Sequence, residues 1–264
     1  MLIDTHCHLN FKTFEGKVGL AIKRARRAGV EKTIVPGARL DTSKKAVELA
    51  QKYKEIYAAV GIHPIHAGKL KFKTSKAKNE LKKLAENKKV VSIGECGLDY
   101  FRIKNNELRT KVKQRLLFEI QIELAKELGL PLIIHNRNAS DDLISVLKPY
   151  ATRHKLQAVF HCFSGSFTLL AWALEHNFYV GIDGNVTYSK HVKKIVKQTP
   201  LKNLLVETDS PYLTPEPIRS TKKFPNEPKN VKIVAEKIAE IKGDSFLKVA
   251  KQTTKNAEEL FWKK

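Results

Sequence analysis

The chain has 264 residues, 42% of them hydrophobic, and 49 Lys+Arg against 27 Asp+Glu for a formal net charge of +22. That is enough apolar material for one sizeable core, which argues against a disordered chain, and one domain spanning 1–264 is expected. No run approaches the ~18 apolar residues of a membrane-spanning helix, so no membrane partner is expected. The positive charge is open to two readings, a solvated basic surface or a field that draws in a polyanion. The N-terminus enters an apolar run at once, with no basic leader or cleavage site, and the three cysteines are odd in number and lack paired spacing. Both features point to a reducing cytoplasm. Nothing in the chain indicates an obligate protein partner.

Short apolar runs alternate with helical stretches along the whole chain. The first run, Leu2–His6, precedes a helix over Val18–Ala28; Thr33–Pro36 precedes Thr42–Tyr53; Ile56–Gly61 precedes Lys76–Asn87; and Val90–Gly94 precedes Glu107–Leu128. Leu132–His135 leads to Ala139–Pro149, Ala158–His161 to Ser166–His176, Phe178–Ile182 to Lys190–Gln198, and Leu204–Glu207 to Val231–Phe261, interrupted at Gly243. The strand runs are continuously apolar, as in a parallel sheet buried on both faces. Gly29, and Gly129 followed by Pro131, sit where helices end. Eight such units predict an α/β fold of the (β/α)8 TIM-barrel type. A doubly wound open sheet is the alternative, but no glycine fingerprint follows the first strand. Two long loops stand out, Gly61–Phe72 after the third strand and the proline-rich Ser210–Asn230 after the eighth. In a barrel both lie on the catalytic face.

The residues that carry chemistry follow the strand ends. Asp4-Thr-His6-Cys-His8 places two imidazoles two residues apart, on one side of an extended chain. Glu95 follows strand four, His135 ends strand five, His161 ends strand six and Asp209 follows strand eight. Neutral imidazoles and carboxylates converging from separate strands are what a metal hydrolase needs. Six ligand-type residues exceed one tetrahedral ion and suit two metals sharing a carboxylate, with Glu95 as the bridge, between Gly94 and Gly97, which allow close backbone approach and an unusual turn. Imidazole-rich sites point to Zn, Mn, Fe or Ni more than to Mg alone. Cys7, Cys96 and Cys162 each neighbour a candidate ligand and are either ligands themselves or, as alternation favours, small hydrophobes buried in the layer between barrel and helices.

These residues also carry a resemblance. Asp4-Thr-His6-Cys-His8-Leu, Gly61-Ile-His63-Pro64, Gly94-Glu95-Cys-Gly97-Leu-Asp99-Tyr100, His135-Asn-Arg137, His161-Cys-Phe-Ser-Gly165 and Glu207-Thr-Asp209-Ser-Pro211-Tyr-Leu resemble, in order, the TatD family of metal-dependent deoxyribonucleases. Asn226-Glu-Pro228 and Thr253-Thr-Lys-Asn256-Ala extend the similarity to the tail. The resemblance implies that His6, His8, Glu95 and Asp209 hold one divalent ion and Glu95, His135 and His161 a second. It further implies that Asp209 accepts the proton of the attacking water and that His63 faces the substrate. One departure lies in the last loop, where Ile218-Arg219-Ser-Thr and a Lys222-Lys223 pair replace the His-Arg-Gly-like turn of many relatives.

Other residues have two readings. Arg137 either holds a phosphate or pairs with Asp141 or Asp142. Asp99 and Glu207 are candidates to orient the histidines, and Asp4 either does so or caps its strand. Tyr100, Phe101 and Tyr212 either pack or stack on bases. Arg219, Lys222 and Lys223 make the last loop basic. Together these predict a two-metal hydrolase of DNA phosphodiester bonds, an exonuclease on single-stranded or frayed ends. In this reading Asp209, Glu95 and His63 do the chemistry, and His63, Arg137, Tyr100 and Arg219 contact DNA. The alternatives are an amidohydrolase-type enzyme acting on a small ester, amide or lactone, and a metal-stabilised nucleic-acid-binding barrel without turnover.

Overall fold

The computed structural model describes residues 1–69, 74–101, 103, 108–153, 156–222 and 224–263. The far end of the Gly61–Phe72 loop, the expected helix start at Glu107, and Lys223 lie outside the described residues. Eight strands pair in parallel in sequence order. They are β1 (Leu2–Asp4), β2 (Val30–Pro36), β3 (Ile56–Val60), β4 (Val90–Asp99), β5 (Leu132–Arg137), β6 (Ala158–Phe160), β7 (Tyr179–Ile182) and β8 (Leu204–Val206). Helices α1 (Val18–Arg27), α2 (Leu40–Lys52), α3 (Thr74–Ala85), α4 (Leu108–Leu128), α5 (Ser140–Arg153), α6 (Phe167–Glu175), α7 (Lys190–Gln198), α8 (Val231–Lys242) and α9 (Phe246–Phe261) surround them. This is the (β/α)8 TIM barrel. No helix among the described residues is long and apolar enough to cross a membrane.

The circle closes beyond the ends of β1 and β8. Thr5 N donates to Val206 O at 3.2 Å, Asp209 N to His6 O at 2.9 Å and His8 N to Ser210 O at 2.7 Å. The backbone that joins the barrel is thus the same backbone that carries His6, His8 and Asp209. Inside the barrel, Ile3, Ile34, Ala59, Val91, Ile133, Val159 and Leu205 form one apolar cluster with Leu260 and Phe261 of α9, so α9 plugs the floor and leaves the opposite mouth for chemistry. A larger layer between strands and helices takes Cys7 and Cys96, as expected for small buried hydrophobes.

Two departures from the sequence pattern, and one break it anticipates, have physical causes. Strand β4 runs on to Asp99 rather than ending at Gly94, with Gly97 paired to His135 and Asp99 to Arg137. Gly94 and Gly97 give the expected close backbone approach, within a continuing strand rather than a turn: a Cβ at Gly97 would lie 2.1 Å from the His135 carbonyl oxygen and one at Gly94 2.7 Å from that of Ile133. The last helix divides in two at Gly243, as its sequence pattern anticipates, because that glycine takes a left-handed φ of +66° and Ser245 then caps α9 by accepting the Lys248 N–H. The chain after Cys162 turns sharply, that residue having φ +47°, and its thiol faces Asn185 and Asp183 rather than the apolar layer.

Candidate active site

The six ligand-type residues meet at the mouth of the barrel around Glu95, whose two oxygens have separate neighbours. Toward Oε2 lie His6 Nε2 at 3.7 Å and His8 Nε2 at 3.6 Å. Asp209 Oδ1 completes that side, 3.6 Å from His6 and 3.5 Å from His8, whose Nε2 atoms are 3.2 Å apart. Toward Oε1 lie His161 Nε2 at 2.8 Å, His135 Nδ1 at 3.0 Å and His63 Nε2 at 3.2 Å. The rings of His6 and His161 stack face to face, 4.0 Å between centroids, and tie the two sides together. Asp209, with φ +50°, is held in the left-handed region by the closure bond from its own N–H and aims its carboxylate at both histidines.

A further layer holds these groups in place. Asp99 Oδ2 is 3.2 Å from His135 Nε2, so His135 lies between two carboxylates. Glu207 Oε1 is 3.7 Å from His161 Nδ1 and accepts the Cys162 N–H at 2.5 Å. Asp4 is bound to Thr208, accepting its N–H at 3.0 Å and its hydroxyl at 2.7 Å, and so braces the residue before Asp209 rather than a histidine ring. His63 Nδ1 accepts the Ile65 N–H at 3.2 Å, which places the His63 proton on Nε2 and makes that atom a donor toward Glu95.

The electrostatics set His135 and His161 apart from His6 and His63. Burial works to raise the Glu95 carboxyl, but His63 and His161, with hydrogen bonds from His135 and His161, outweigh it and hold Glu95 well below the usual carboxylate range. Burial, with His161 close by, keeps His6 well below the ordinary imidazole value, and burial also lowers His63. Burial opposes charge on His161 and His135 as well, yet Glu95 and Glu207 lift His161 well above it, and Asp99 and Glu95 raise His135.

The donor set fits divalent cations. Four ligands around zinc at about 2.1 Å stand roughly 3.4 Å apart. The separations of 3.2–3.7 Å of His6 and His8 from each other and from the nearest oxygens of Glu95 and Asp209 bracket that value. On the other side, Glu95, His135 and His161 present one carboxylate and two imidazoles whose donor atoms lie within 4.8 Å of one another. Neutral imidazole and ionised carboxylate are the forms a metal takes up.

The remaining predicted residues lie around the rim. Tyr100 turns toward the helices, its hydroxyl donating to Asp142 at 2.7 Å and its ring covered by Lys111 at 4.6 Å, and it does not join the cluster. Phe101, the next residue, is 52% exposed. Arg137 lies over Phe101, 3.6 Å from guanidinium carbon to ring centroid, rather than on Asp141 or Asp142. Arg219 lies 4.3 Å from the Tyr188 ring and 3.4 Å from Glu216. Tyr212 is exposed near Phe11, whose ring stacks on His8 at 4.2 Å. Phe11 carries no signal in the sequence beyond its distance of three residues from His8. Asn226, fully buried, donates to Thr208 O at 3.0 Å and Tyr212 O at 2.7 Å and folds the proline-rich loop back over the Asp209 turn.

A TIM barrel with imidazoles and carboxylates gathered at its mouth defines a metal-dependent hydrolase. The sequence model of the TatD related DNase family matches residues 3–262, and the chain belongs to that family. It is 41% identical over 263 residues to the uncharacterized metal-dependent hydrolase YabD of Bacillus subtilis, covering 99% of each chain. It is 33% identical to the 3'-5' ssDNA/RNA exonuclease TatD of Erwinia tasmaniensis, covering 98% of this chain and 99% of that one. The crystal structure of YjjV, a TatD homologue from Escherichia coli K12, superposes with a TM-score of 0.87 at 31% identity, covering 98% of this chain and 97% of that one.

Proposed function

We propose that the barrel, acting as one domain in the cytoplasm, hydrolyses phosphodiester bonds of DNA at single-stranded or frayed ends with two divalent cations that share Glu95. The observation that carries this reading is the division of the Glu95 carboxylate, one oxygen toward His6 and His8 and the other toward His135 and His161. His6, His8 and Asp209 would hold one ion with Oε2, and His135 and His161 the other with Oε1. Bound there, such a pair activates water and steadies the attacking and leaving oxygens of phosphodiester cleavage. The imidazole content favours Zn, Mn, Fe or Ni.

The chain's own groups supply the rest. Asp209, whose side chain is 14% exposed, stands where a water can reach it from the mouth and accepts that water's proton. His63 keeps its one ring proton on Nε2, aimed at Glu95 Oε1 at 3.2 Å; with Oε1 taken up by a cation, that N–H would be released to donate to an oxygen of the substrate. Arg137 and Arg219 draw the strand to the rim, and the +22 charge attracts a polyanion. The relative named as an ssDNA/RNA exonuclease supports the preference for unpaired ends.

The test is to incubate purified protein with end-labelled single- and double-stranded DNA, RNA and small esters, with and without chelator, and with Mn, Zn or Mg added back. Release of nucleotides from single-stranded DNA ends, abolished by chelator and restored by metal, is expected. Hydrolysis of esters alone would favour the small-substrate enzyme. Salt-sensitive DNA binding without turnover would favour a binding barrel.

A further inference from the structure

We infer that Phe101 and Arg137 form a stacking platform that takes the nucleobase beside the scissile phosphodiester, so that a strand end is gripped by its base as well as by its phosphate. This rests on the nuclease reading above.

Strands β4 and β5 are paired to their last residues, Gly97 with His135 and Asp99 with Arg137. Side chains two residues apart on a strand share a face, so Arg137 emerges beside His135 and about 6–7 Å nearer the mouth. Its guanidinium carbon lies 3.6 Å from the Phe101 ring centroid. Phe101 is 52% exposed and Arg137 is exposed as well, so the pair presents an open planar surface instead of filling a core. The platform is also braced to the metal-ligand set. Asp99 Oδ1 accepts the Phe101 N–H at 3.0 Å while its other oxygen lies 3.2 Å from His135 Nε2. One carboxylate therefore fixes both the backbone under the platform and the imidazole beside Glu95.

An aromatic ring and a guanidinium plane are the surfaces on which unpaired bases stack, with little preference among bases because every base has a π face. The guanidinium edge keeps its N–H groups for the adjoining phosphate. A base inside a duplex is already stacked and must be pulled out to reach such a surface. The platform thus selects ends whose last base is unpaired, in strands of varied sequence. Across the mouth, the comparable pair of Tyr188 and Arg219 is less open, since Tyr188 is half-buried and Arg219 lies against the Glu216 carboxylate.

The test compares single-stranded oligonucleotides that end in a normal nucleotide with the same strands ending in a base-free tetrahydrofuran residue, in the metal-loaded enzyme. Wild type should favour the base-bearing end in kcat/KM by about 5- to 150-fold, the range of base–aromatic stacking. Phe101→Ala should bring that ratio to about one, and Phe101→Tyr should keep it. A wild type that processes both ends equally would overturn the platform while leaving the nuclease reading in place. So would a Phe101→Ala enzyme that slows on both ends and keeps the ratio. A wild type that degrades neither strand would instead remove the nuclease reading, and the platform with it.

Discussion

The two faces of Glu95 are built differently. On the Oε2 face, His6 and His8 stand 3.7 and 3.6 Å away, too far for hydrogen bonds and near the spacing of ligands around one ion. On the Oε1 face, His161, His135 and His63 close to 2.8, 3.0 and 3.2 Å, which is hydrogen-bond distance. The proton balance separates His6 from His161 and His135. His6 is held neutral by burial, whereas on the other face His161 and His135 each lie between two carboxylates that favour the protonated ring. A cation between His135 and His161 would therefore compete with protons that their carboxylate neighbours favour.

Four measurements can break or sharpen this contrast. The largest effect is expected for Asp209→Asn, which keeps the size of the side chain on the Oε2 face but removes the base. Turnover should fall about 10²- to 10⁴-fold, the usual contribution of a positioned general base, with the thermal melt nearly unmoved. Near-normal turnover would take Asp209 out of the chemistry. Next, Glu95→Ala removes both oxygens, and metal analysis should show both ions weakened at least ~100-fold, because even groups behind the ligands are worth 10–100-fold. Loss of one ion alone would mean that the faces are independent sites.

A smaller, directional effect concerns protons. In the metal-free protein, imidazole NMR should show His161 titrating above, and His6 below, the ordinary histidine value. His161, raised on folding, stabilises the metal-free fold below its unfolded value of about 6.5 and loses that contribution as pH rises through its folded value. His6, lowered on folding, destabilises the fold as pH falls below about 6.5. His161→Gln should therefore depress the melting temperature more at pH ~5.5 than at pH ~8, and a uniform depression would count against the charged His161. The smallest effect lies outside both faces. Arg219→Ala or Lys222→Ala should reduce the salt slope of DNA binding by about one each if they touch phosphate, with metal content unchanged. An unaltered slope would leave the loop with no part in binding.

Much of the gathering at the mouth was legible because it depends on side-chain type and on position at strand ends. His6 and His8 share one side of an extended segment, and Glu95, His135, His161 and Asp209 each end or follow a buried run; a closed barrel brings such positions together. What could not be read depends on partners distant in sequence. Gly94 and Gly97 announce a close backbone approach, but not that the approaching backbone is β5. Tyr100 and Phe101 are equivalent in the sequence, yet the hydroxyl of Tyr100 reaches Asp142 while Phe101 meets Arg137. Cys162 departs from simple alternation because its backbone turns to offer an N–H to Glu207. Periodicity separates inside from outside on α4 but does not distinguish a buried glutamine that fills space from one that binds backbone.

That helix carries two such glutamines, each of which completes a foreign backbone edge. Gln114 accepts the Asp99 N–H and donates to the Asp99 carbonyl, both at 2.9 Å. Seven residues on, Gln121 does the same to Ile62, at 2.7 and 3.0 Å. Two helical turns, about 10.5 Å, thus separate the anchor beside His63 from the anchor beneath the partner of His135. Helix α4 acts as a ruler laid across two strand ends. Any slide or rotation along its axis would displace His63 and the Asp99–His135 pair together, so two of the three imidazoles around Oε1 of Glu95 share one anchor, while the third, His161, lies against Glu207 instead.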